Sequence, residues 1–381
     1  MNSALRRLSL PVTRITDRTR WVFVEIACKD ARVGIGEATL DGSEQAIVAA
    51  SARIASLLWA IDGSDPGAFA RASVPATLAD AALASAIDMA MWDVRAQAAR
   101  VRLVDALGGA QRASVPLYAN INRRTRDRSA AGFARSARDA LTAGFDALKI
   151  APFDEVSPAR CANGKGTKAM QAGLARIAAV REAIGPSIRL MVDCHWRFDE
   201  ATATSLIDAA AEHAVHWIEC PLPENAESIP ALIRLRARAA RHGVRLAGME
   251  QGIGYESFRP FCEAGCYDVM MPDVKYIGGL RPMLHCAEQL ARHGIEVSPH
   301  NPSGPVAHVA SLQVSAAMRS FDMLELQFDE SPLFDRLVGG GVPSRSGGSS
   351  ALPQGIGLGV RLAPDVLSDC SEAPPFIMEA P

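Results

Sequence analysis

From Arg20 to Asp30 the sequence RWVFVEIACKD mixes β-branched and aromatic residues in near alternation, and VGIGEATL follows after a turn-length gap. Successive side chains of a strand point to opposite faces, so this pattern predicts an antiparallel hairpin or meander. The period then changes. SEQAIVAASARIASLLWAI and ASAIDMAMWDVRAQAAR place apolar residues at helical spacing, the first behind a serine suited to cap it. Strands followed by helices within residues 1–112 predict an α+β domain.

From residue 113 onward the pattern repeats. Eight short apolar runs, VPLYANI, ALKIAP, IRLMVDCHW, HWIECPLP, VRLAGME, DVMMPDV, IEVSPHN and MLELQF, alternate with amphipathic stretches such as SAAGFARSARDALTAG and LRPMLHCAEQLARHG. Several of these end in Gly, where a helix takes a left-handed cap. The predicted fold class is α/β, a (β/α)8 barrel over residues 113–335. VGGGVPSRSGGSS reads as a flexible connector. Within residues 336–381, GIGLGVRLAPDVL is too short to be a domain and is expected to pack back on the cap.

The 381 residues are 49% hydrophobic and 22% charged, and 40 Lys+Arg against 42 Asp+Glu give a formal charge of −2. No basic excess points to nucleic acid. No run of 18 uncharged apolar residues points to a membrane, and the opening MNSALRRLSL lacks an apolar leader segment, so the expectation is a cytoplasmic protein. Eight scattered cysteines include one close pair, Cys262 and Cys266, without the further ligands zinc needs, and are read as free thiols.

In a parallel barrel the carboxyl ends of the strands build the active site, and polar residues recur there: Lys149, Asp193 with His195, Glu219, Glu250, Asp273, His300 and Glu325. From Asp193 onward these positions lie 23 to 31 residues apart, one βα unit each, so all are expected to converge on one mouth. Three carboxylates crowded together repel unless a cation neutralises them. Asp193, Glu219 and Glu250, hard oxygen ligands without Cys or His, suit Mg²⁺, with Mn²⁺ as a substitute.

The order of Asp in VDCHW, Glu in WIECPLP, Glu in AGMEQ, Asp in MMPDV and His in VSPHNPSGP resembles the enolase superfamily, specifically the mandelate racemase subgroup. The resemblance spans the cap, the barrel and the returning C-terminal segment. It implies that Asp193, Glu219 and Glu250 bind the metal and that Asp273 and His300 form a dyad. It also implies that Glu325 donates a hydrogen bond to an enolate, and that the chain forms a symmetric homo-oligomer. The activity implied is abstraction of the proton α to a carboxylate through an enediolate.

Two positions depart from that pattern. Many subgroup members carry Lys-x-Lys at the second strand, and here the segment is Lys149-Ile150-Ala151, without the second lysine. Lys149 is left to orient the substrate carboxylate or serve as a displaced base, unless Lys165 or Lys168 folds over the site. His195 stands where the racemase has Asn, as in some acid-sugar dehydratases, either as a general acid or as a support for Asp193. The resemblance further implies that two cap loops, residues 13–20 and the segment after Gly36-Glu37, close over the mouth. Arg14, Arg18 and Arg20 are candidates to clamp an anionic substrate, and Asn120, Asn122 and Arg123 to reach its hydroxyl groups. The leading expectation is dehydration of an acid sugar, a small-molecule carboxylate, to a 2-keto-3-deoxy acid. The alternatives are a racemase or epimerase with an unconventional second base, and a non-catalytic binding barrel.

Overall fold

The computed structural model describes residues 3–381; Met1 and Asn2, at the head of the segment read as lacking a leader, lie outside the described residues. The cap opens with β1 (Leu5–Leu10), β2 (Val12–Arg14), β3 (Arg20–Cys28) and β4 (Val33–Glu37). It continues through α1 (Glu44–Trp59), α2 (Pro66–Ala72), α3 (Leu78–Ala99) and the short α4 (Leu103–Ala106). β3 and β4 form the antiparallel pair that the alternation predicts, with Phe23 opposite Glu37. β1 has no counterpart in the sequence pattern because a register shift between Leu5 and Arg7 interrupts its alternation.

Helix α3 joins the two halves. Its N-cap Thr77 and Asp80 form a capping box, and most of its residues are buried because it is covered on more than one side. Against β4 the approach is so close that a Cβ at Gly34 or Gly36 would lie about 2 Å from the carbonyl oxygens of Ala90 and Ala86. Toward the barrel, Asp88 accepts from the Leu280 N–H at 2.8 Å, and toward the C-terminal segment Asp93 accepts from the Leu358 N–H at 2.8 Å.

The barrel runs through β5 (Ser114–Asn120), α5 (Ala130–Thr142), β6 (Ala147–Ile150), α6 (Pro158–Ala162), α7 (Gly166–Ile184) and β7 (Arg189–Asp193). α8 (Glu200–Ala211), β8 (Val215–Glu219), α9 (Ile229–Arg241), β9 (Arg245–Gly248), α10 (Gly254–Glu263) and β10 (Val269–Met270) follow. α11 (Leu280–Arg292), β11 (Glu296–Val297), α12 (Pro305–Ala317) and β12 (Leu324–Gln327) complete it. β5 to β11 pair in parallel in chain order, and β12 pairs with β5. Between β11 and β12 the join is made by the Asp322 N–H on Val297 O at 2.9 Å and the Glu325 N–H on Pro299 O at 3.3 Å, rather than by a ladder.

Beyond the barrel lie α13 (Leu333–Arg336), β13 (Val338–Gly339), β14 (Arg345–Ser346), β15 (Ser349–Ala351), β16 (Arg361–Leu362), α14 (Pro364–Cys370) and β17 (Phe376–Glu379). The Gly/Ser stretch expected to be a flexible connector is instead a hairpin. Gly347 and Gly348 turn it in left-handed backbone, and β15 then pairs antiparallel with Ser114–Pro116 of β5, so backbone pairing orders what composition alone reads as loose. β17 pairs antiparallel with β1. All eight cysteines are free, seven of them buried. Among the described residues no helix is long and apolar enough to cross a membrane.

Candidate active site

The barrel interior is built in layers, as strand alternation requires. Tyr118, Ala147, Met191, Trp217, Ala247, Val269, Met271 and Met323 form a closed apolar cluster. Two residues further along their strands, facing the same way, come Asn120, Lys149, Asp193, Glu219, Asp273 and Glu325. At β9 the spacing is three: Met249 takes φ 72°, and the left-handed turn brings Glu250 inward. Sequence spacing and backbone geometry thus deliver the predicted residues to one floor above the core.

Asp193, Glu219 and Glu250 each offer an oxygen such that these atoms lie within 4.8 Å of one another, all three side chains being buried. Burial pushes Glu219 up to about 7, and burial with the charges of Asp193 and Glu219 pushes Glu250 well above the carboxylate range. Burial also opposes the charge on Asp193, but the neighbouring His195 and Lys149 hold it down. Three buried acids in that space require protons or a cation, and an all-oxygen set of this kind fits a divalent metal.

Opposite the triad, His300 Nδ1 lies 2.8 Å from Asp273 Oδ2. Asp273 also accepts from Lys275 twice, from its backbone N–H and from Nζ, both at 2.8 Å, and Lys275 Nζ reaches Ser303 Oγ at 2.6 Å. Burial works against ionised Asp273, yet Lys275 and His300 hold its carboxyl below the usual range. An ionised Asp273 places the proton on Nδ1, leaving Nε2 open; it stands 3.7 Å from Glu250 and 4.0 Å from Glu325. Lys275 is a site residue that the sequence reading missed; it reaches Asp273 through the turn that follows that residue, where the Tyr276 and Ile277 N–H groups bond to Asp273 O, and no motif marks it in the sequence.

Lys149 does not stand free. Its Nζ lies 2.6 Å from Glu219 and 3.0 Å from Glu325, its side chain is 2% exposed, and those two carboxylates outweigh burial and hold the ammonium well above its ordinary range. A charged, enclosed lysine has no lone pair to offer as a base. Glu325 accepts from Asn120 Nδ2 at 2.6 Å, from the Asn301 N–H at 2.9 Å and from Lys149. Burial opposes its charge, but Lys149 and His300 hold it below the usual range.

The remaining expected residues scatter. His195 is at the mouth, Nε2 2.8 Å from Asp193, its side chain 37% exposed and its imidazole raised by the Asp193 charge. Asn120 donates to Glu325, while Asn122 Oδ1 accepts from Arg128 at 2.8 Å. The arginine clamp is not assembled: Arg14 and Arg20 face each other across the β2–β3 ladder and both engage Glu372 on the surface. Arg18, Lys165 and Lys168 are exposed. The loop between β2 and β3 does reach the barrel, where the Thr19 hydroxyl donates to Glu330 and Arg123 pairs with the same carboxylate at 3.3 Å. Glu37 is fully buried and accepts from the Gly304 and Ala307 N–H groups at 2.7 and 2.9 Å, capping α12 just after His300.

Residues 5–108 match the mandelate racemase / muconate lactonizing enzyme N-terminal domain, and residues 132–366 match the enolase C-terminal domain-like family. The chain belongs to the mandelate racemase/muconate lactonizing enzyme family of the enolase superfamily. D-gluconate dehydratase of Thermoproteus tenax is 28% identical over 361 residues, 91% of this chain and 70% of that one. D-galactarolactone cycloisomerase of Agrobacterium fabrum is 29% identical over 383 residues, 93% and 92% of the two chains. A mandelate racemase/muconate lactonizing enzyme from Jannaschia sp. CCS1 superposes with a TM-score of 0.85 at 21% identity, covering 97% of this chain and 98% of the other. That structural likeness carries the fold. Members of the superfamily bind a divalent metal, for which Asp193, Glu219 and Glu250 are the compatible donors here.

Proposed function

We propose that this protein is a Mg²⁺-dependent acid-sugar dehydratase that converts a polyhydroxylated carboxylic acid to its 2-keto-3-deoxy product. Similarity to D-gluconate and D-galactonate dehydratases supports the reaction class. The observation that carries the reading is a single open base beside the metal triad: His300 Nε2 is free, while on the β6 side Lys149 is enclosed by two carboxylates and the next position of the motif is the buried Ala151. Racemisation needs a base on each face; dehydration needs one.

Asp193, Glu219 and Glu250 would hold Mg²⁺, which when bound supplies Lewis-acid neutralisation of the charge that builds on a substrate carboxylate as its α-proton leaves. His300 Nε2 takes that proton, and Asp273, itself fixed by Lys275, stabilises the resulting imidazolium. The electron pair of the broken Cα–H bond forms a Cα–Cβ double bond as the Cβ–O bond breaks. The departing hydroxyl takes the proton back from His300 and leaves as water, and the enol then tautomerises to the keto acid. Lys149 balances the charges of Glu219 and Glu325 behind the site, and His195 lies at the mouth to bind or protonate a hydroxyl.

The test is proton NMR in D₂O together with semicarbazide trapping of keto acids, across a panel of aldonic and aldaric acids with Mg²⁺. His300→Asn is expected to abolish α-proton exchange and keto-acid formation together, a loss of about 10²- to 10⁴-fold. Exchange that persists in His300→Asn but vanishes in Lys149→Met would instead establish a base on the other face and a racemase or epimerase.

A further inference from the structure

The turns beside the metal ligands are made in left-handed backbone. His195 and Trp196 follow β7 with φ of 46° and 56°, Cys220 follows β8 with φ of 46°, and Met249 precedes Glu250 with φ of 72°. None is a glycine, so each turn carries a conformational cost that its neighbours offset. One side chain touches all three turns. Glu224 accepts a hydrogen bond from Trp196 Nε1 at 3.1 Å and from the Met249 N–H at 2.5 Å, and Cys220 Sγ lies 3.8 Å from the same carboxylate. Tyr267, just before β10, donates its hydroxyl to it at 3.0 Å. The backbone leaves room for this group: at Gly248 a Cβ would sit 2.4 Å from Glu224 Oε1 and 2.7 Å from Tyr267 Cζ. Glu224 itself is not one of the acids that converge on the triad.

We infer that Glu224 is a positioning residue for the metal centre: one carboxylate sets the path of the β7, β8 and β9 turns and thereby the spacing of Asp193, Glu219 and Glu250. The inference rests on reading those three acids as a divalent-metal site. A carboxylate suits the task because it only accepts, and everything aimed at it is a donor. Glu224→Gln keeps the shape but replaces one oxygen with an NH₂ group, setting donor against donor. Residues that orient metal ligands from behind typically change metal affinity by about 10- to 100-fold.

The experiment uses the full chain stripped of metal, with Mn²⁺ as the probe, followed by isothermal titration and electron paramagnetic resonance. Wild type is expected to bind Mn²⁺ at a single site and Glu219→Gln to lose that binding. Glu224→Gln should bind about 10- to 100-fold more weakly, with a broadened Mn²⁺ spectrum, while saturating Mn²⁺ restores most of kcat. Trp196→Phe removes one donor from a half-exposed position and should shift affinity in the same direction by a smaller factor; it decides the matter if Glu224→Gln does not fold. Wild-type affinity and an unchanged spectrum in these variants overturn the positioning role while leaving the metal site standing. Failure of wild type itself to bind Mn²⁺ overturns the metal site and this inference with it.

Discussion

At the amino ends of the barrel strands, Arg189 and Arg245 lie among Asp146, Glu296 and Asp322. Arg189 is 3.7 Å from Asp146 and 3.6 Å from Asp322, while Arg245 pairs with Glu296 and lies 3.8 Å from Asp322. At the carboxyl ends, Asp193, Glu219, Glu250 and Glu325 meet one ammonium, Lys149, with the imidazoles of His195 and His300 beside them. The same strands supply both sets at similar spacing, yet the amino-end set has two guanidiniums among three acids and is partly wetted, whereas the mouth has one ammonium among four acids and is buried. Acids recurring along a barrel sequence are therefore not informative in themselves. What marks a metal site is how far their number, once buried, exceeds the cations the fold has placed among them.

The largest expected effect that would break this contrast is at the mouth. Glu219→Gln should weaken Mg²⁺ binding by more than the roughly 100-fold that loss of a supporting residue costs, and abolish turnover, with folding retained. Unchanged affinity by isothermal titration would place the metal elsewhere. Next is the pH response of the metal-free protein. Glu219 titrates near 7 when folded against 4.5 as its ordinary value, so its contribution to stability is present below about 4.5 and is lost as pH rises through 7. Thermal midpoints should fall across that window without metal and stay level with saturating Mg²⁺.

At the amino ends, Arg245→Met should lower stability by about 1–3 kcal/mol by leaving Glu296 without its partner and Asp322 with Arg189 alone, while Mg²⁺ affinity stays at the wild-type value. In the same variant His216, pushed down to about 4 by burial and then by Arg245, should titrate higher by NMR. The smallest effect is expected on the cap surface, where Glu372→Ala removes the partner of Arg14 and Arg20 and should leave thermal midpoint and KM where they are. A raised KM there would return the two arginines to the substrate.

Much of the site was legible because a barrel converts linear periodicity into convergence: a polar residue at the end of each apolar run has only one place to go. The same logic explains what was not legible. Arg14 and Arg20 read as a clamp because their neutralising partner, Glu372, lies at the far end of the sequence. Glu37 looked like the beginning of a lid, yet its carboxylate caps a helix whose first residue is Pro305. Lys149 was recognisable as a site residue, but its loss of availability depends on two carboxylates from other strands. Glu224 and Lys275 carried no motif of their own, since their roles arise from three-dimensional neighbours. Likewise, glycine and serine in 338–350 argued for mobility until β5 was present as a template for β15.

The pairing of β17 with β1 places Ser9 against Ile377. During synthesis the βα units of the barrel emerge in order and each can pack on the one before it. The first strand of the cap instead leaves the ribosome early and lacks its neighbour on that side until residues 376–379 have been made, some tens of seconds later at about 5–20 residues per second. Over that interval β1 presents an open row of N–H and C=O groups, the kind of edge that invites pairing with another chain. The cap sheet is thus begun before the barrel and finished after it, and this strand edge is where a nascent chain of this protein would need shielding by a chaperone.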